Sequence, residues 1–149
     1  MKSLFHSEAS QEILERMNQL TPDTQHLWGK MSVDQMLAHC ATALDMASGK
    51  INPPRVFIGR IIGSFMKDLY SNDKPFSKNS PTDNALRITG SRDFAKEKQR
   101  LKDSVIVFSQ NGLPGVTAWP HPFFGKLSPE DWGIGMYKHT DHHFRQFGV

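Results

Sequence analysis

The chain is 149 residues long, the size of one domain, and 1–149 is expected to fold around a single core that needs no disulfide staples. Its one cysteine, Cys40, has no partner in the chain, which fits a reducing compartment and makes the cytoplasm the expected setting. The net charge of +3 comes from basic residues spread along the chain, so nucleic acid is not an expected partner.

From the apolar tracts, neither a secretory leader nor a membrane span is expected. The opening MKSLFHSEAS is interrupted by Ser3, His6, Ser7 and Glu8 and lacks a run of signal-peptide length. The tracts around Arg55 to Met66 and Val105 to Phe108 are too short or too broken to span a bilayer, so no membrane partner is expected.

In chain order, Ala9, Ile13, Met17 and Leu20 lie on one helical face, and Pro22 ends that helix near Thr21. The pattern Ser32-Val33-Asp34-Gln35 is a capping box that starts a second helix. Behind it run Val33, Met36, Leu37, Cys40, Leu44 and Ala47, with Gly49 as the stop. After Pro53-Pro54, the apolar residues from Val56 to Leu69 predict an extra short helix despite Gly59 and Gly63. The polar stretch from Ser71 to Thr89 reads as a long loop.

A further helix follows, with Phe94, Leu101, Val105 and Phe108 on one side, ending before Gly112 and Pro114. A second loop, Ala118 to Gly125, carries Pro120, His121 and Pro122. The last helix starts at Ser128-Pro129-Glu130-Asp131, where serine caps, proline suits the first turn and the acids favour the positive end of the helix dipole. It is expected to run nearly to Phe147. No alternating strand pattern is present, so the fold class is all-α: four main helices, one extra helix and two long loops, arranged as a bundle.

The seven histidines carry the chemistry. His139 and His143 are four residues apart and share a helical face with Trp132 and Met136, so they belong to the inward stripe. Two neutral imidazoles there need hydrogen-bond partners, water or a metal ion. The zinc-protease helix motif needs a glutamate after the first histidine, and Thr140 stands there instead. His142 could pair with His139 as an alternative chelate, but not alongside His143; it is assigned a supporting or solvent-facing place. His39 lies on the flank of the second helix, either as a satisfied core residue or as a third ligand; three histidines around one ion are a familiar zinc or nickel arrangement. Cys40 points elsewhere and reads as core. Asp141, Arg145 and Gln146 are placed to hydrogen-bond ligand histidines. His6 and His26 read as surface residues, and His121 as a rigid loop residue that could overhang the bundle end.

Three segments in order carry a resemblance: Met31 to His39 (MSVDQMLAH), His121 to Trp132 (HPFFGKLSPEDW) and Lys138 to Gly148 (KHTDHHFRQFG). With them the chain resembles the DinB-like, or YfiT-like, superfamily of metal-dependent enzymes, and more closely a domain-of-unknown-function branch of it. The resemblance implies a four-helix bundle in which His39, His139 and His143 hold a divalent ion, zinc or nickel. It implies hydrolysis or thiol or other group transfer on a small-molecule substrate, and pairing as a homodimer. His121 and His142 are the expected catalytic, proton-transferring groups. The long Ser71 to Thr89 loop and the His121-Pro122 loop depart from the thiol-transferase members, and no thiol-binding motif can be matched. The rival expectation is a non-catalytic bundle that binds a small ligand or partner, with a structural metal or none.

Overall fold

The computed structural model describes residues 1–80 and 84–149. It is all-α. The helices are α1 (Ser7–Asn18), α2 (Val33–Ala47), α3 (Phe57–Ile62), α4 (Lys67–Ser71), α5 (Phe94–Asn111) and α6 (Pro129–Gln146), with short 3-10 turns at Gly63–Met66, Asn84–Leu86 and Leu113–Gly115. An isolated antiparallel bridge between His121 and Gly125 is the only β feature among the described residues.

The local signals act where they stand. Gln35 Oε1 accepts the Ser32 N–H at 3.1 Å, the reaching-back half of the capping box. On α6 both halves form: the Asp131 N–H donates to Ser128 Oγ and the Ser128 N–H to Asp131 Oδ2, each at 3.1 Å. Asp93 caps α5 by accepting the Lys96 N–H at 2.9 Å. Gly49 and Gly112, past the ends of α2 and α5, have φ of +73° and +57°. The first helix ends at Asn18, short of Thr21, because the chain tightens: Gln19 and Leu20 donate to the carbonyls of Arg16 and Met17, three residues back.

The four longer helices form the body. Helix α2 packs on α5 and α6, and α1 packs on the same two, whereas α1 and α2 lie diagonally opposite, with no close approach of their backbones. Their apolar stripes meet in a core that includes Ile13, Met17, Met36, Leu37, Leu44, Leu101, Phe108, Trp132, Met136 and Phe144. Helix α2 is the most enclosed element, buried through Met36 to Ala41 without interruption, with Cys40 among the core residues as its spacing predicts. Burial pushes the Cys40 thiol pKa far up, so it stays protonated.

The stretch expected as one helix from Val56 to Leu69 is instead α3, a 3-10 turn and α4. The reason lies in the glycines. A Cβ on Gly59 would stand 2.6 Å from the Phe123 carbonyl oxygen, and one on Gly63 would collide with the same atom. This segment therefore presses its bare backbone onto the second loop and bends at Gly63 to do so. Arg55 clamps the junction, donating to the carbonyls of Gly59 at 2.8 Å and Phe123 at 3.4 Å. Helix α4 in turn lies on α6, where the Tyr70 ring fills the space a side chain at Gly135 would need.

The Ser71 to Thr89 loop is broken by the Asn84–Leu86 turn, and its residues 81–83 lie outside the described residues. The loop does not hang free. Lys138 of α6, itself buried, donates to Leu69 O at 2.6 Å and Asn72 Oδ1 at 2.8 Å, and its ammonium lies 4.5 Å from the Phe76 ring centroid.

A candidate metal centre between two helices

The side of α2 that carries His39 faces the side of α6 that carries His139 and His143. The three rings meet with centroid separations of 4.7 to 4.8 Å, and one ring nitrogen from each lies within 4.8 Å of the others. Helical periodicity places the α6 pair; the packing of α2 on α6 supplies the third ring.

Hydrogen bonds to the rings decide which nitrogens are bare. His39 Nδ1 lies 2.7 Å from the carbonyl oxygen of Leu86, an acceptor, so Nδ1 carries the proton and Nε2 holds a lone pair. His143 Nδ1 lies 2.9 Å from Gln146 Oε1. The amide of Gln146 is oriented by the Trp28 carbonyl, which accepts its Nε2–H at 2.7 Å, so Oε1 must be an acceptor and His143 Nδ1 a donor. Both rings therefore turn a bare Nε2 inward. Such outer partners are what metal-binding histidines use to set tautomer and ring angle.

His139 is the ring left unsatisfied. Its Nε2 is 2.9 Å from His39 Nε2, and its Nδ1 is buried without a protein partner. If His139 donates through Nε2 to His39, the buried Nδ1 keeps an unmet lone pair; if Nδ1 carries the proton, two lone pairs face each other. A cation between the Nε2 atoms removes the second conflict. Two nitrogens each bound at 2.0–2.1 Å to one ion stand roughly 3 Å apart, which is the separation present. The all-nitrogen donor set suits zinc, nickel and other borderline cations. The three residues could hold a divalent ion, the Nε2 pair already standing at ligand spacing and the third ring nitrogen within 4.8 Å of it.

The electrostatics agree. Burial lowers the pKa of His39, takes His139 well down together with the neighbouring rings, and brings His143 to about 3, with His39 adding to the effect. All three are neutral near pH 7, the form that ligates.

The remaining histidines lie around this cluster. His142 is half-buried, edge-on to Trp28 and Phe76 at centroid distances of 6.0 Å and to His143 at 5.2 Å, outside the trio. His121 is not brought into it either: its Nδ1 accepts the N–H groups of Phe123 at 3.1 Å and Phe124 at 3.2 Å, closing the second loop. Its ring packs among Tyr70, Phe124 and Trp132, where burial and the Arg55 charge lower its pKa to about 3. His6 is exposed and His26 packs edge-on to Phe147.

Of the three supporting groups read from the sequence, Gln146 takes that part. Asp141 instead pairs with Arg16 at 2.8 Å and Arg145 at 2.9 Å. The Leu86 carbonyl, Trp28, Tyr70, Phe76 and Lys138 were not anticipated. A backbone carbonyl carries no side-chain signature, and the only signal that the loop returns to the core lies in its few large apolar residues, Phe76, Leu86 and Ile88, of which Leu86 is buried.

The chain belongs to the family described as a protein of unknown function, DUF1569, whose model matches residues 2–148. No curated protein and no solved structure matches it. No helix among the described residues is long and apolar enough to cross a membrane.

Proposed function

We propose that this member of the DUF1569 family is a metal-dependent enzyme with a DinB-like four-helix bundle, in which His39, His139 and His143 hold one zinc or nickel ion. The observation that carries the proposal is the meeting of three imidazoles, one ring nitrogen of each within 4.8 Å of the others and the Nε2 atoms of His39 and His139 2.9 Å apart. A divalent ion there would supply a Lewis acid that lowers the pKa of a water or thiol and offsets charge developing on oxygen or sulfur. The reaction class is hydrolysis or group transfer on a small molecule.

This chain's residues would do the rest. Leu86 O and Gln146 hold the His39 and His143 rings with their lone pairs inward. Trp28 and Phe76 wall the His142 side of the cluster and limit water there. His142 and His121 stand as the proton-transfer candidates. His142 is next to the cluster, whereas His121 has only Nε2 free, since two amides occupy Nδ1.

A second reading, a non-catalytic bundle with a structural ion, draws support from burial: His39 is 2% and His143 7% exposed, and the loop reaches the cluster through Leu86. Elemental analysis of untagged protein separates the premise from both readings. About one equivalent of transition metal in the wild type and none in the His39→Ala, His139→Ala, His143→Ala triple variant is expected. No metal in either after reconstitution would reject the site. With metal present, turnover of ester, amide or thiol-transfer substrates that is lost on chelation supports catalysis; chelation that lowers only Tm supports the structural reading.

A further inference from the structure

The segment from Phe57 to Leu69 is built inside out. Its glycines face the protein and its large apolar side chains face solvent: Phe57 is 78% and Phe65 86% exposed, with Ile58, Ile61, Ile62 and Leu69 also exposed. The orientation is imposed, because the Phe123 and Phe124 backbone leaves no room for a side chain at Gly59 or Gly63. The segment cannot roll over to hide its isoleucines without losing that contact and the Arg55 clamp.

The six exposed side chains present on the order of 600–700 Å² of apolar surface, more than monomers usually leave in one patch and close to the ~800 Å² that each partner buries in a standard interface. The charges around it are mixed. Arg60 and Asp68 are both exposed, flank Ser64 four residues to either side, and enter no ion pair among the described residues. A surface for anionic lipid would be rimmed mainly by basic residues, whereas here the exposed acid Asp68 stands at one end beside the half-buried Lys67. Opposite charges at the two ends suit a two-fold axis near Ser64, where Arg60 of one copy meets Asp68 of the other, twice.

We propose that this face is the interface of a homodimer, in which two copies pack their α3 to α4 segments antiparallel and bury Phe57, Ile61 and Phe65 against each other. The interface stands on the side of the segment opposite the His121 loop, so it is independent of whether the histidine cluster binds metal.

Sedimentation velocity of the full chain tests it. The wild type is expected to sediment at twice the 16.9 kDa chain mass. Phe65→Glu should raise the dimer dissociation constant about 30-fold or more, as loss of a central aromatic anchor does, with unchanged circular dichroism. Ile61→Glu should act in the same direction, whereas Val107→Glu, at an exposed apolar position on α5, should leave the dimer intact. Flotation with vesicles of anionic phospholipid runs alongside. A wild type that stays monomeric to about 100 μM, a dimer indifferent to both Phe65→Glu and Ile61→Glu, or a monomer whose vesicle binding depends on Phe65 would each overturn the proposal.

Discussion

Helix α2 and the α3 to α4 segment are both read from the sequence as apolar helices, yet they bury opposite things. Helix α2 hides its large side chains, with Met36, Leu37 and Leu44 at 0 to 1% exposure, and supplies the middle of the core. Apart from Tyr70, which α4 packs on α6, the α3 to α4 segment hides two glycines and exposes two phenylalanines and three isoleucines. Apolar residues at helical spacing announce a helix, and the smallest residues show where another backbone presses against it. The core contact of α2 is a contact of side chains; that of α3 is a contact of backbones.

The contrast breaks first at α2. Leu37→Ala removes a fully buried side chain and is expected to cost about 2–5 kcal/mol in chemical denaturation. Phe65→Ser, a larger truncation, should lie within about 0.5 kcal/mol when the chain is dilute enough to be monomeric. Equal losses at the two positions would mean that the exposed face is covered within one chain. On the glycine side, Gly63→Ala puts one methyl against the Phe123 carbonyl and should cost about 1–3 kcal/mol, measurable as a lower urea midpoint, although it raises helix propensity. An unchanged or higher midpoint would remove the backbone contact as the reason for the exposed face.

A smaller effect sharpens the role of the loop on which α3 rests. His121 holds its turn as a neutral ring, with a pKa lowered to about 3 by burial and by Arg55, against about 6.5 in the unfolded chain. The unfolded state thus binds the extra proton first as pH falls. The contribution of His121 is complete above about pH 6.5 and is lost progressively towards pH 3. His121→Asn, whose Oδ1 can accept the same amides, should flatten the fall in Tm between pH 7 and pH 4 relative to wild type. Identical slopes would show that the ring does not titrate with unfolding.

Within the cluster, Gln146→Leu leaves the three rings in place but removes the acceptor that orients His143. It is expected to weaken zinc binding about 10–100-fold in competition with a chelator. Unchanged affinity would assign Gln146 to the Trp28 contact alone.

Much of this was legible beforehand because it is local. Caps at Ser32 and Ser128, stops at Gly49 and Gly112, the apolar stripes of α1, α2, α5 and α6, and the common face of His139 and His143 all follow from the spacing of neighbours along a helix. The glycines at 59 and 63 were legible as helix-weakening residues; their packing against Phe123 was not, since that contact spans some sixty positions of chain. Asp141 illustrates the same limit within one helix. Its sequence position beside His142 suits a hydrogen bond to a ligand, but Arg16 of α1 holds it instead.

The sequence by itself determined an all-α chain and put two histidines on the inner face of α6, because helical period and capping depend only on residues within a turn or two. Tertiary structure alone decided that His39 of α2 would join them, that a backbone carbonyl at Leu86 would fix its tautomer, and that the apolar side chains of α3 would turn to solvent. Those outcomes depend on which surfaces are pressed together across the fold, and side-chain spacing along one strand of sequence does not encode the distance between backbones far apart in it.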